Sequence, residues 1–364
     1  MKKYIFAILM MVAAAFAATS CGLEGGDDTN TSTDLTISVD NPVIRADGKS
    51  SAKITVKLGD EVVTDGVTIY DGANDSRLEM DDFTFTTTKA GIYSFWATYK
   101  TFHTETVSLT AITSPLPELP ADPNPESTVF KKKVFINQFT GTKCGYCPYM
   151  ISILEKMEET YPGQFVLAAC HTYNGDDPAF LDSPIAKAAM SVAVYPTVLL
   201  NLDKNWKFSD YTKPALLRDA FEKDYGNGKV GTGLAVSTLL DGSSIVIKAQ
   251  LKVAEGGKYR VGAWLLEDGI KGKQTGSDTI DTHDNCVRDI YSKNSATDFS
   301  GALHIMQAGQ TADQYFLASL DGKWKSENCH VVVFVCSQKT NGNYAVSNVI
   351  DCPLGKSVAY SYAE

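Results

Sequence analysis

The chain has 364 residues, with 33 Lys and Arg side chains against 43 Asp and Glu and a net charge of −10 at pH 7. This length exceeds what one ordinary hydrophobic core needs and predicts two or three domains. The acidic balance excludes nonspecific nucleic-acid binding and docking on anionic lipid, because both need a cationic surface.

The first residues have the pattern of a bacterial lipoprotein signal peptide. Two lysines precede an apolar run, residues 4–18, which is too short for a stable membrane span. Small residues then lead to Cys21 and resemble a lipobox, in which the cysteine is lipidated; the alternative is an ordinary signal peptide that contains a cysteine by chance. We predict a signal peptide over residues 1–20, a lipid on Cys21 that anchors the chain to the membrane, and a flexible tether over residues 21–34. Gly22 favours the outer membrane of the cell envelope, and the acidic residues after it are compatible with surface exposure.

Residues 35–113 consist of short segments in which apolar and polar side chains alternate, separated by turns that contain Gly. Such alternation without a helical pattern predicts a β-sandwich. The predicted strands cover residues 35–39, 52–58, 83–86, 92–97 and 106–109. Their order resembles the immunoglobulin-like repeats of bacterial surface proteins. Residues 114–127 then contain five prolines, which predict an extended linker.

Residues 128–226 alternate between strand and helix patterns and predict an α/β domain. The predicted strands cover residues 134–139, 164–170 and 197–202, and the predicted helices cover residues 150–161, 184–194 and 213–225. Residues 229–364 return to the strand pattern and predict a C-terminal β-sandwich that is less regular over residues 270–325. Its predicted strands cover residues 233–239, 244–253, 259–266 and 330–335.

A pair of cysteines, Cys144 and Cys147, lies between a predicted strand and a predicted helix. The free N–H groups and the dipole at a helix N-terminus stabilise a thiolate, and Lys143 adds a positive charge that we predict to tune the thiol pKa. Cys144 is therefore the predicted nucleophile, and Cys147 is the predicted resolving cysteine. The pair could also be half of a zinc site, but this domain has no second ligand pair at zinc spacing, so we predict no metal and no cofactor.

A second motif, Tyr195-Pro196-Thr197, opens a later strand. In thioredoxin-like proteins a cis-proline in this place lies beside the dithiol, and the residue before it offers backbone groups to a peptide. We predict a cis bond before Pro196 and include this residue in the catalytic site; the alternative is an ordinary trans-proline at the start of a strand. Tyr195 and Tyr146 are predicted to contact the substrate.

The segment from Phe139 to Pro148, the Tyr195-Pro196-Thr197 turn and the lipobox resemble the outer membrane protein 28 family of Bacteroidetes lipoproteins. The resemblance covers about residues 128–364 and implies a thioredoxin-like domain joined to a C-terminal β domain, here preceded by the immunoglobulin-like domain. It implies a cell-envelope protein of poorly defined role. Thioredoxin has a buried Asp in the strand before its cysteines, whereas this chain has Gln138, which cannot act as a base and argues against fast reductase turnover.

Seven cysteines remain when Cys21 is set aside, so at least one thiol is free or paired between molecules. Cys329 and Cys336 have an odd separation on one predicted strand and so lie on opposite faces. We predict structural disulfides between Cys329 and Cys352 and between Cys286 and Cys336, with the other pairings of these four left open. Cys170 is the predicted free core thiol.

These features support two hypotheses about function. The first is an envelope-anchored thiol–disulfide oxidoreductase or isomerase that acts on protein thiols and disulfides, or with a redox partner protein, through Cys144 and Cys147. The second is a non-catalytic binding or adhesion lipoprotein, in which the fold is a scaffold and the two cysteines form a structural disulfide. His171 is interpreted as a structural histidine and Asp177 as part of a solvated loop.

Overall fold

The computed structural model describes residues 35–295 and 297–364, so the predicted signal peptide, Cys21 and the tether lie outside the described residues. The described chain divides into two compact units, residues 35–116 and residues 117–364, and the division falls within the predicted linker. Strands predominate in both units. No helix among the described residues is long and apolar enough to cross a membrane.

The first unit consists of two β-sheets that share one hydrophobic core. Its strands are β1 (Leu35–Val39), β2 (Val43–Arg45), β3 (Ser51–Leu58), β4 (Glu61–Val63), β5 (Val67–Asp71), β6 (Arg77–Leu78), β7 (Thr84–Thr86), β8 (Gly91–Tyr99), β9 (Phe102–His103) and β10 (Val107–Ile112). A 3₁₀ turn, Asp81–Phe83, precedes β7. One sheet has the order β1-β3-β4, with β7 on β3, and the other has the order β2-β10-β8-β5-β6, with β9 on β8.

The alternation in β3 shows why the two sheets face each other. Ala52, Ile54 and Val56 are buried in turn along this strand, while the residues between them are more exposed. They belong to the same core cluster as Phe95 and Leu109 of the second sheet. Because alternate strand residues point to one face, a cluster drawn from both sheets means that the sheets pack face to face. The predicted strand at residues 35–39 is confirmed as β1.

The second unit contains sixteen strands and two α-helices among its described residues. The strands are β11 (Phe130–Lys131), β12 (Val134–Thr140), β13 (Phe165–His171), β14 (Thr197–Leu200), β15 (Lys229–Val230), β16 (Thr232–Asp241), β17 (Ser244–Val253), β18 (Gly257–Glu267), β19 (Ile270–Lys271), β20 (Thr282–His283), β21 (Cys286–Ile290), β22 (Ala302–Met306), β23 (Thr311–Ser319), β24 (Cys329–Gln338), β25 (Tyr344–Pro353) and β26 (Ser357–Val358). The helices are α1 (Cys147–Thr160) and α2 (Pro214–Tyr225), and Ser326–Asn328 is a 3₁₀ turn.

One sheet continues across the predicted domain boundary at residues 226–229. Its order is β14-β12-β13-β21-β18-β24-β25, with β22 on β18. β12 and β13 are parallel, β14 is antiparallel to β12, and β13 joins β21 in parallel at Ala169 and Cys286. The Ala169 N–H donates to the carbonyl of Asn285 at 2.8 Å at this junction. The α/β segment and the C-terminal strands therefore share one sheet and one compact unit, which differs from the expectation of two separate domains.

Different layers cover the two ends of this shared sheet. The helices α1 and α2 pack on β12 and β14, where Val134 and Ile136 meet Leu154 and Phe221. A second sheet, in the order β23-β17-β16-β26, packs on β18, β24 and β25. Both ends contribute to a third core that includes Phe135 of β12 together with residues of β18 and β24.

The predicted helix at residues 184–194 is one π-helical turn, Ile185–Ala189, and this expectation was wrong in length. The turn ends because Ser191 adopts a positive φ of 51°, which a continuing right-handed helix does not allow. The predicted helix at residues 213–225 is confirmed as α2.

Candidate functional site

The site lies in the loop that connects β12 to α1. Cys144 and Cys147 form a disulfide with their Cα atoms 5.4 Å apart. Cys147 is the first residue of α1, and Pro148 follows in the first turn, where a missing N–H removes no helical hydrogen bond. The Cys144 N–H donates to the Gly141 carbonyl at 3.0 Å, and the Cys147 N–H donates to the Cys144 carbonyl at 3.2 Å. The expected order of strand, cysteine pair and helix is confirmed.

Both sulfur-bearing residues are buried, and the side chains around them are aromatic. Cys144 is 3% exposed and Cys147 is fully buried, whereas Tyr146 between them is 61% exposed. Tyr146 and Tyr149 stack on Tyr211, with ring centroids 5.7 and 5.1 Å apart. The exposed surface beside the disulfide is therefore a set of stacked tyrosine rings, and Tyr146, a predicted substrate contact, is part of it.

The loop before Cys144 is held from the segment that follows β13. The Thr142 N–H donates to Oδ2 of Asp177 at 2.6 Å, and the Lys143 N–H donates to Oδ1 of Asn174 at 3.2 Å. Gly141 allows this close approach, because a Cβ atom there would lie 2.6 Å from Cβ of Tyr173. Any larger residue would force these two segments apart.

The ammonium group of Lys143 is paired with the carboxylate of Asp176. This hydrogen bond lowers the pKa of Asp176, and both side chains are exposed to solvent. The lysine charge is thus offset by a carboxylate, which weakens its effect on Cys144. The predicted tuning of the thiol pKa by Lys143 stays a prediction.

A buried polar chain, Asp177–His171–Cys286, lies behind the loop. Nδ1 of His171 is 2.9 Å from Oδ2 of Asp177, and its Nε2 is 3.6 Å from Sγ of Cys286. Burial alone would raise the pKa of Asp177. The hydrogen bond to His171, the coulombic attraction of His171 and the hydrogen bond from the Thr142 N–H outweigh burial and lower the pKa to about 2. Burial raises the pKa of Cys286 well above its usual value, so this thiol is protonated. These buried polar contacts therefore connect β13, β21 and the cysteine loop.

Sequence reasoning misjudged two members of this chain. Asp177 was expected in a solvated loop, but its side chain is fully buried and also accepts a hydrogen bond from the Ala179 N–H at 2.8 Å. Cys286 was a disulfide candidate, but it is a buried thiol. The contact joins residues far apart in the sequence, and no local pattern signals it.

None of the four disulfide candidates forms a disulfide in the described structure, which corrects the prediction for Cys286, Cys329, Cys336 and Cys352. Cys286 pairs with Glu267 and Cys336 with Arg260 of the same strand, β18, so the two thiols lie about 23 Å apart along the sheet, at ~3.3 Å per residue. That distance excludes a disulfide.

Cys329 and Cys352 come closer but do not pair. Cys352 lies opposite Val331, so Cys329 is its diagonal neighbour. Diagonal neighbours are about 7–8 Å apart, beyond the Cα separation that a disulfide spans. Cys329 and Cys336 lie in different cores, which confirms that they face opposite ways. Cys170 is a buried free thiol, as predicted.

The predicted cis bond between Tyr195 and Pro196 is confirmed. Thr197 pairs with Phe139 of β12, so Pro196 lies opposite the end of β12, where the cysteine loop begins. The hydroxyl of Tyr195 is 2.9 Å from Oγ1 of Thr172, and burial raises the pKa of this phenol. The fold thus brings Pro196 and the cysteine loop to one end of the sheet.

A segment that sequence reasoning missed covers the cysteine loop. Residues 272–278, which we call the strap, form the first part of the connection between β19 and β20. Nε2 of Gln274 donates to the carbonyls of Cys144 at 2.9 Å and Gly141 at 3.2 Å, and the Thr275 N–H donates to the Thr142 carbonyl at 2.7 Å. The segment was expected only to be irregular. No group of three or more His, Cys, Asp or Glu side chains that could hold a metal occurs in residues 35–295 and 297–364.

Comparison with solved structures gives distant similarity. HBP35 of Porphyromonas gingivalis matches with a TM-score of 0.52 and 20% identity, over 65% of this chain and 78% of that one. A protein of Agrobacterium tumefaciens matches with a TM-score of 0.39 and 18% identity, over 64% of this chain and 99% of that one. A domain of the outer membrane lipoprotein Omp28 from Porphyromonas gingivalis matches with a TM-score of 0.24 and 17% identity, over 34% of this chain and 88% of that one. The first of these similarities concerns the fold alone.

Comparison with protein families identifies the C-terminal half. Residues 186–358 match the family described as outer membrane protein Omp28, and no curated protein matches the sequence. The match runs from the π-helical turn to β26 and so crosses the junction within the shared sheet. The family agrees with the outer-membrane location in the cell envelope that the N-terminal sequence predicts. Through residues 186–358, just under half of its length, the chain matches the outer membrane protein Omp28 family.

Proposed function

We propose that the chain is an envelope-anchored thiol–disulfide oxidoreductase with a thioredoxin-like site, which acts on protein thiols and disulfides. The observation that carries the proposal is the Cys144–Cys147 disulfide at the start of α1, with cis-Pro196 opposite the end of β12. A parallel β12–β13 pair flanked by antiparallel β14, with a helix directly after the cysteines, supports a thioredoxin-like arrangement. The two packed sheets of the first unit support an immunoglobulin-like domain.

The reaction begins from the oxidised pair. A thiolate of a substrate dithiol attacks Sγ of Cys144, a new sulfur–sulfur bond forms, and Cys147 leaves as a thiolate. The second substrate thiolate attacks the substrate sulfur of this mixed disulfide and releases Cys144 as a thiolate. The substrate loses two electrons and becomes a disulfide, and Cys144 and Cys147 gain them. The reverse sequence reduces a substrate disulfide with the same two electrons.

Local groups set the rate of these steps. N–H groups of the first helical turn stabilise negative charge that develops on a cysteine sulfur at the helix start. Gln138 shares the β12 face with Val134 and Ile136, which pack on α1, and its Nε2 has no hydrogen-bond partner in the described structure. An amide cannot accept the proton of Cys147 when the reduced pair reacts, so Gln138 supplies no buried base for this step, and we expect slow turnover.

A specific observation favours the second candidate, a binding or adhesion lipoprotein with a structural disulfide. Both cysteines are buried, and access to a sulfur is a requirement of exchange. The exposed tyrosines Tyr146 and Tyr149 offer a contact surface that needs no redox chemistry. In that case Cys144 and Cys147 act only as a covalent closure of the loop.

The reduction potential separates the two candidates. The chain without residues 1–21 is equilibrated in glutathione buffers, and thiols are trapped and counted at each ratio. A potential above about −300 mV supports the oxidoreductase, because structural disulfides lie below that value. A lower potential favours the scaffold. Cys144→Ser identifies the signal that belongs to the pair, and Cys170→Ser, which removes a free thiol, is the matched control.

A further inference from the structure

The disulfide is buried, and the strap, residues 272–278, lies against the loop that carries it. Its contacts are made to the backbone carbonyls of Gly141, Thr142 and Cys144, so it lies directly on the cysteine loop. Gly276 approaches so closely that a Cβ atom there would lie 2.5 Å from the carbonyl oxygen of Gly145. The C-terminal part of the unit thereby supplies the cover of a site built by the α/β part.

Few interactions fasten the strap to the loop. Gln274 is its one fully buried side chain, and its neighbours Lys273, Thr275 and Gly276 are exposed. The Oε1 atom of Gln274 is buried without a hydrogen-bond partner in the part of the chain that the structure describes. Its Nε2 donates to two carbonyls, so this one amide group makes two of the three hydrogen bonds between the strap and the loop, and the Thr275 N–H makes the third.

Backbone hydrogen bonds fix the two ends of the segment that contains the strap. The Gly272 N–H donates to the Asp281 carbonyl at 2.9 Å, and the Gln274 N–H donates to the Ile280 carbonyl at 3.0 Å. Nε2 of His283 is 2.8 Å from the Gly272 carbonyl, which fixes the base from the β20 side. Opening of the tip breaks three hydrogen bonds to the loop and leaves those at the base in place.

We propose that the strap is a lid that controls access to Cys144, with Gln274 as the residue that holds it closed. The proposal rests on the proposed function, in which a substrate thiol must reach Sγ of Cys144. The hydrogen bonds of the lid are made to backbone carbonyls, which are present in the oxidised and the reduced pair alike, so the lid closes over both. It therefore slows exchange in both directions and leaves the equilibrium of the pair unchanged.

Two substitutions open the lid by independent means. Gln274→Met keeps the length of the side chain but removes both hydrogen bonds to the loop. Gly276→Ala places a Cβ against the Gly145 carbonyl. It also puts a side chain at a left-handed backbone position, φ +84°, so the tip of the strap cannot pack against the loop. Thr275→Ala is the matched control, because it removes an exposed side chain and keeps the backbone hydrogen bond.

The test measures two rates and one equilibrium in the chain without residues 1–21. Dithiothreitol reduces the disulfide, iodoacetamide alkylates the reduced protein, and glutathione buffers give the equilibrium constant. We expect both rates to rise about tenfold or more in Gln274→Met and Gly276→Ala, and to stay within about twofold of wild type in Thr275→Ala. The equilibrium constant should change by less than about twofold in all three variants.

The outcomes separate the lid from the proposed function. Unchanged rates in both opening variants, or a rise in only one of the two measured rates, would overturn the lid. A rise in both rates together with a reduction potential far below the thiol-enzyme range would support the lid but contradict the proposed oxidoreductase function. Urea unfolding of each variant shows whether it is folded. If one opening variant does not fold, the rates of the other still test the lid.

Discussion

The carboxylate of Asp177 should make the stability of the second unit depend on acid. This side chain is fully buried and accepts hydrogen bonds from the Thr142 and Ala179 N–H groups, and it pairs with His171. Its pKa is lowered from 3.8 to about 2. Because the folded pKa is the lower one, the unfolded chain takes up the proton first as the pH falls. The stabilisation is complete above about pH 4 and is lost as the pH approaches 2.

The size of the effect follows from the shift. The difference between 3.8 and about 2 corresponds to about 2 kcal/mol of unfolding free energy. Asp177→Asn removes the ionisable group and should lose at least this much stability at pH 7. The variant should then show no matching loss between pH 6 and pH 2, so its deficit relative to wild type shrinks as the solution becomes acid.

Urea unfolding at a series of pH values measures this difference. The fluorescence of Trp264, which is fully buried in the second unit, reports the transition. Asp176→Asn is the matched control, because its carboxylate is the exposed neighbour and pairs with Lys143 at the surface. We expect this variant to follow the wild type. A deficit of Asp177→Asn that is the same at pH 7 and pH 2 would refute the reasoning, since it would show that the buried carboxylate does not titrate as the structure requires.

Three further outcomes can be checked on the same protein. Burial would lower the pKa of His330, but the carboxylates of Asp268 and Asp351 outweigh it and raise the pKa to about 9. This stabilisation is complete below about pH 6.5 and is lost as the pH rises through 9, so the wild type should lose about 3 kcal/mol relative to His330→Gln between these values, measured by urea unfolding. Gly141→Ala should cost about 1–3 kcal/mol because its Cβ meets Tyr173, whereas Gly145→Ala, with open space around it, should be neutral in thermal unfolding. The five buried free thiols should not react with Ellman's reagent in the native protein, and all five should react in urea.

Local patterns predicted much of the fold. The strand expected at residues 244–253 is β17 with the same bounds, because its alternation of apolar and polar residues is regular. The cysteine pair and the cis-proline could also be located, because both depend on short motifs with a known position relative to strands.

Long-range contacts escaped prediction for a physical reason. Gln274 contacts Cys144 across 130 positions of sequence, and its segment has neither strand nor helix periodicity. His171 and Cys286 meet only because β13 and β21 become neighbours in the sheet. Such contacts depend on which strand edges pair, and periodicity within one strand carries no information about its neighbour.

The junction between β13 and β21 has a consequence for how this protein can be cut. A truncation between residues 226 and 229 would remove β21 and leave β13 as an edge strand, with buried residues and unpaired backbone groups along it. An apolar edge of this kind pairs readily with other chains and promotes aggregation. It would also separate β14 and α2 from the rest of the family match, residues 186–358. The compact unit, residues 117–364, keeps this sheet whole, and its C-terminal strands cover the edge of β13 near the disulfide.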